Sequence, residues 1–300
     1  MSRRIADLVI RLSLGLALLG GAATTPLAAH ALRGLGVLEH TNLNVQVARA
    51  AAEEIRRDYP GLNLVMLDYG IHNTGALAVE GTLRAIGSLD PQSRLAAEWA
   101  LGRAAAAFDE RRPSAHPVTD RRGRTLACLV VPPAPGFDAR AWAVDQVSDR
   151  HAMKFLGTDD DRLHAWRMMD HEIGHCLVYL QNIKPPQGLL WPSWHENVAE
   201  YYAFARHAGR FGRTGYAARQ ADLRDAWANS DNNDADPLAR AVWSLGNAIR
   251  AAEASTAGSG MIQTGRAAFA AALEAANHLA LTQAQAAEIH KKARVVAAGS

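Results

Sequence analysis

Residues 171–175 read His-Glu-Ile-Gly-His, and no other stretch of the chain constrains its fold as tightly. Two imidazoles four residues apart meet one metal ion when the backbone between them is helical, because an α-helix brings positions i and i+4 onto one face. The flanks support such a helix. Thr158 followed by Asp159, Asp160 and Asp161 supplies a cap and an acidic first turn, and Pro185-Pro186 stops the run. Trp166, Met169, Ile173, Leu177 and Leu180 recur at spacings of three and four, which predicts a core-facing stripe; His164, Met168, His171, His175 and Val178 form a second stripe. Gly174 has no side chain, so another segment can approach between the two histidines. Glu172 lies about 100° around the axis from His171, where it can reach a water at the metal without being a ligand. His164 stands ~10 Å of helix rise before His171 and reads as a partly exposed polar residue, not a ligand.

The remaining sequence predicts an α+β architecture that is mostly helical. A small β-sheet belongs to an N-terminal lobe of about residues 32–182, which ends with the metal-bearing helix, and a helical C-terminal lobe covers about 183–300. Helices are expected at Thr41–Arg57 and from Asp90-Pro91 to about Phe108. Strands are expected at Leu62–Leu67 and at Thr125–Val131, with Ala76–Val79 as a candidate partner for the first. Asp109–Arg124 is polar and holds Pro113, Pro117 and Gly123, so it predicts a loop or a hairpin tip. Ala139–Phe155 is ambiguous, although Asp138 could cap a helix there.

Residues 1–31 have the form of an export signal. Ser2-Arg3-Arg4 is basic, Leu8–Leu19 is apolar apart from Arg11 and Ser13, and Ala29-His30-Ala31 is the small-x-small ending that predicts cleavage after Ala31. The apolar run is short for a spanning anchor, so no stable membrane span is expected after cleavage. The protein is expected to be periplasmic or secreted. Arg3, Arg4, Arg11 and Asp7 account for the formal net charge of +2, which leaves the rest of the chain neutral. No basic stripe interleaved with aromatics points to nucleic acid as a partner. Cys128 and Cys176 can form a bridge in an oxidising compartment or stay as two buried thiols.

Downstream of the helix the chain continues Trp191-Pro192-Ser193-Trp194-His195-Glu196-Asn197-Val198-Ala199-Glu200-Tyr201. Val178 and Gln181 stand where a three-histidine metal motif would need Gly and His. The combination resembles the gluzincin superfamily, the thermolysin-like and aminopeptidase-like metallopeptidases. The resemblance covers about residues 158–208 and implies a zincin-like fold holding one Zn2+ per chain. It makes His171, His175 and Glu196 the ligands, Glu172 the general base and acid, and Glu200 an acceptor that orients a ligand histidine. It also implies a Tyr or His beside the oxyanion, for which Tyr216 and His278 are candidates. An edge strand along the cleft would pair with the substrate, and Thr125–Val131 precedes the metal helix. Read from the residues alone, Ser193-x-x-Glu196 is also a capping box, and His195 is a rival third ligand. The expected activity is hydrolysis of a peptide or protein substrate. The alternative is a catalytically inactive zincin-fold scaffold of the cell envelope.

Overall fold

A computed structural model describes residues 43–67, 75–87, 90–109, 113–133, 160–229, 236–257 and 264–299. Residues 1–31 and Ala139–Phe155 lie outside the described residues. The elements in chain order are α1 (Leu43–Asp58), β1 (Leu64–Met66), α2 (Gly75–Ile86), α3 (Pro91–Asp109), β2 (Ser114–Thr119), β3 (Thr125–Val131), α4 (Asp161–Leu180) and α5 (Trp191–Phe211). They continue with α6 (Tyr216–Ala228), α7 (Pro237–Val242), α8 (Gly246–Ala257), α9 (Gly265–Leu279) and α10 (Gln283–Gly299). The fold is α+β and mostly helical, with one three-stranded sheet among the described residues. None of the described helices is long and apolar enough to cross a membrane.

The strand order is β1-β3-β2, with β1 parallel and β2 antiparallel to the central β3. Residues 127–131 of β3 are an unbroken apolar run because both faces of the strand are covered. Alternate side chains point to opposite faces. Ala127, Leu129 and Val131 join Ala97, Ala100 and Ala104 of α3 in one core. Cys128 and Val130 enter the larger core, with Ile55 of α1 and Met169, Ile173 and Leu177 of α4.

Two expectations for this lobe are corrected. Ala76–Val79 is not a strand: it lies in α2, where Val79, Thr82 and Leu83 are buried at helical spacing. The segment Asp109–Arg124 is not a loop throughout. It supplies β2, and its tight turn is held by Asp120, whose carboxylate accepts from the backbone N–H groups of Arg122 and Arg124. Among the described residues β2, and not Thr125–Val131, is therefore an edge strand. Pro117 fits there because an edge position has no ladder partner for the N–H that proline lacks. Its carbonyl accepts from Arg103 of α3 at 2.8 Å.

α4 starts one residue after its cap. Asp160 is the N-cap, its side chain accepting from Arg162 N–H, in place of the expected Thr158. The helix is buried on both stripes from His164 to Val178, with Glu172 the half-buried exception. A Cys128–Cys176 disulfide fastens α4 to the middle of β3, with 5.5 Å between the Cα atoms. Cys176 directly follows His175, so this covalent tie acts next to the histidine pair. α5 runs through the centre of the helical half, packed against α4, α8 and α9.

Candidate metal centre

α4 and α5 cross where neither carries bulk. A Cβ added at Gly174 would stand 2.8 Å from Ala199 Cα, well inside the contact distance of packed carbon atoms. Gly174 lies between His171 and His175, and Ala199 lies between Glu196 and Glu200. The close crossing thus presses two histidines of one helix against two glutamates of the other.

Three of the four meet at one point. His171 Nε2 and His175 Nε2 are 3.1 Å apart, and Glu196 Oε2 lies 3.3 Å from the first and 3.6 Å from the second. Atoms that ligate one tetrahedral ion at about 2.0–2.2 Å stand about 3.4 Å from each other, so the triangle fits a single metal ion. Glu196 Oε2 is also a buried oxygen without a well-aligned hydrogen-bond donor, as an atom awaiting a cation would be. Ser193 and Glu196 do not form a capping box. Leu190 is the N-cap of α5, and Ser193 Oγ instead accepts from Leu281 N–H of the loop after α9.

The electrostatics of the triangle are uneven. Burial alone would depress His171, but the carboxylates of Glu196 and Glu200 outweigh it and push this group up to about 9. Burial dominates at His175 and drives it well below the ordinary imidazole range. Burial would raise Glu196, yet His175 and His171 hold it down at about 2. A metal ion entering the triangle would compete with the proton that the two carboxylates favour on His171.

Glu200 works from behind. Its Oε2 accepts from His171 Nδ1 at 2.8 Å, which turns Nε2 toward the triangle. Arg167 Nη2 donates to both Glu200 oxygens at 2.5 and 2.6 Å, and Arg224 Nε stands 3.4 Å from Oε1. Burial would raise this carboxyl, but the two arginines keep it well below the usual range. Neither arginine was expected from the sequence. Arg167 could have been found: Arg167, His171, His175 and Tyr179 recur every four residues on one face of α4. Arg224 comes from α6 and carries no such spacing signal.

Glu172 is close enough to influence the charge of Arg167 and Tyr179. Tyr179, one turn beyond His175, is raised by burial and by the negative charges of Glu196 and Glu172. His195 does not belong to the triangle. Its ring stacks on Trp191 at 4.9 Å, lies 4.3 Å from the His175 ring and contacts Tyr179, and burial lowers it to about 4. His164 is buried, not partly exposed, because Tyr216 of α6 packs onto it; the Tyr216 hydroxyl lies 3.0 Å from His164 Nδ1. His278 is exposed in the last turn of α9. Compared with protein families, with curated proteins and with solved structures, the chain finds no match.

Proposed function

We propose that the chain is an exported zinc-dependent peptidase with a zincin-like fold of the gluzincin type. The observation that carries this reading is the triangle of His171, His175 and Glu196, with the half-buried Glu172, next to His171 in the chain, outside it. Two imidazoles and one carboxylate are the donor set of catalytic zinc sites, which keep one position open. Zinc bound there supplies Lewis acidity and makes water a nucleophile near neutral pH. Glu172 is half-buried, so water reaches it; it takes the proton from the attacking water and delivers it to the departing amine. Glu200 holds His171 in the Nδ1–H tautomer throughout. Tyr179 stays protonated in the field of Glu172 and Glu196, and in this reading it replaces Tyr216 and His278 as the donor to the oxyanion. The outer edge of β2 offers backbone groups to an extended peptide. The Cys128–Cys176 pair supports an oxidising compartment.

Metal analysis and hydrolysis of an unstructured protein test the reading together. The expected result is about one zinc per chain and measurable turnover. Glu172→Gln should keep the zinc and lose at least ~10²-fold in kcat. Glu196→Ala should lose the zinc, because two imidazoles alone hold it poorly. Zinc binding without any turnover would replace the enzyme by a metal-binding scaffold.

A further inference from the structure

β1 has β3 on one side and, among the described residues, no strand on the other. The ladder fixes which of its backbone groups face outward. Asn63 C=O accepts from Cys128 N–H, and Leu67 N–H donates to Val130 C=O. Alternate residues of a strand turn to opposite edges, so Leu64 and Met66 direct their backbone groups away from β3. Leu64 N–H donates to Leu62 C=O; the Leu64 carbonyl and both Met66 groups have no backbone partner among the described residues. Helices stand over both faces of this edge. Leu64 and Met66 pack into the core that α1 joins, and Val65 into the core that Ala85 of α2 joins. A groove of about 500 Å³ is lined by all three β1 residues, by Arg49, Glu53 and Arg56 of α1, and by Gly81 and Ala85 of α2. A groove that touches helices on opposite faces of a sheet, together with its terminal strand, lies at that strand's open edge.

We propose that this groove receives an extended segment of a partner protein as an added strand beside β1, with acidic side chains toward α1 and apolar side chains toward α2. The inference stands apart from the peptidase reading, since none of His171, His175 and Glu196 lines the groove. Main-chain bonds to an open edge hold such a segment, and the walls on either face choose its alternate side chains. The two walls differ. Arg49, Ala52, Glu53 and Arg56 recur at spacings of three and four, so they form one stripe of α1. That stripe carries two positive charges against one negative. The α2 wall has no charge, and Gly81 and Ala85, one turn apart, leave space for an apolar side chain on the Val65 face. β1 is three residues long, so an added strand is held over only ~10 Å. Few main-chain bonds are on offer, and the two walls must supply much of the selectivity.

The test uses the full protein with a chelator present, so that the metal centre plays no part, and reads fluorescence anisotropy of a labelled, end-blocked hexapeptide of alternating Glu and Val. Binding should saturate and should weaken as salt is added. The Lys and Val counterpart should bind ~3–10-fold more weakly, the scale of exposed charge pairs. Arg56→Glu should reverse that preference; Arg56 is exposed and its Nε donates only to Ala52 C=O of its own helix, so the fold is not at stake. Methylating the backbone nitrogen of every second peptide residue separates strand addition from simple charge attraction. One of the two alternate patterns should lower affinity ~10-fold or more, and the other should stay within ~3-fold, because only one edge of the peptide meets β1. Ala52→Trp places a ring in the groove and should abolish binding, with its fold checked by circular dichroism. No saturable binding of the acidic peptide, a preference for the basic one, or equal effects of the two methylation patterns would overturn the proposal. A concentration-dependent dimer in sedimentation that Ala52→Trp abolishes would assign the groove to a second copy of the chain and would overturn it as well.

Discussion

Glu200 and Asp170 are both buried at the α4–α5 contact and both face arginines, but burial wins at only one of them. Glu200 is held well below the usual carboxylate range, whereas Asp170 is raised, since the cost of burying its charge exceeds what Arg210 returns. The difference lies in the ratio of donors to carboxylates. Glu200 alone receives Arg167, Arg224 and His171. On the other flank of α4, Glu54, Asp58 and Asp170 share Arg206 and Arg210, and Arg210 also lies over the Trp166 ring at 3.6 Å. The first cluster fixes His171, a member of the triangle that could hold a metal ion. The second ties α1 to α4 and α5 and reaches no ligand atom through its described ion pairs. A buried carboxylate orients a metal ligand dependably only when enough N–H donors keep it ionised.

The largest expected effect comes from neutralising each carboxylate in turn. Glu200→Gln strands two buried guanidinium groups, and losing one side of such a cluster costs about 3–5 kcal/mol. Asp170→Asn leaves Arg210 with Glu54, so its cost should stay near the ~1–2 kcal/mol of one buried hydrogen bond. Urea denaturation of the metal-free proteins at pH 7 measures both. Equal losses would mean that the two clusters are energetically alike and that donor ratio decides nothing.

A smaller effect separates orientation from support. Arg167→Met removes the two shortest bonds to Glu200 while the side chain still fills its buried site. At the proposed zinc site, affinity for the metal should fall by ~10-fold, the low end for groups that act behind a ligand. Arg210→Met should lower stability and leave zinc affinity within about twofold, because its partners reach no ligand. Competition with a chromophoric chelator reads the affinity in each case. If Arg210→Met weakened zinc as much as Arg167→Met, the second cluster would also be orienting the site.

The contrast also marks how far the sequence could be read. The histidines, Glu196 and Glu200 were legible because a helix turns spacings of four into one face, and Gly174 announced the close crossing. The α4 core stripe and the central strand Thr125–Val131 were legible from apolar patterning alone. What was missed depends on partners distant in the chain. Arg224 reaches Glu200 from α6, and Tyr216 buries His164 from the same helix, with no local pattern to mark either. β2 was hidden because its Pro117 and polar residues, with Pro113 just before it, suit an edge, where half of the backbone groups need no partner. Ala76–Val79 was mistaken because a four-residue apolar run has no period; only Leu83, further along, reveals the helical one.

The smallest effect tests the sign of the comparison in acid. Glu200 is depressed from its usual 4.5, so the stability it contributes is present above 4.5 and is lost as pH falls toward its folded value. Asp170 is raised from 3.8, so the native state holds its proton more tightly than the unfolded chain does. That stabilisation is present below 3.8 and is lost as pH rises through the folded value. Between pH 6 and pH 3.5 the two groups therefore pull in opposite directions. Glu200→Gln should shrink the stability lost on acidification, by at most about 1.4 kcal/mol because only the interval below 4.5 counts, and Asp170→Asn should enlarge it. Urea midpoints at the two pH values, for both variants and the unmodified metal-free protein, give the comparison without reference to activity. Shifts of the same sign in both variants would show that Asp170 is ionised as firmly as Glu200, and that two shared arginines suffice where three donors were argued to be needed.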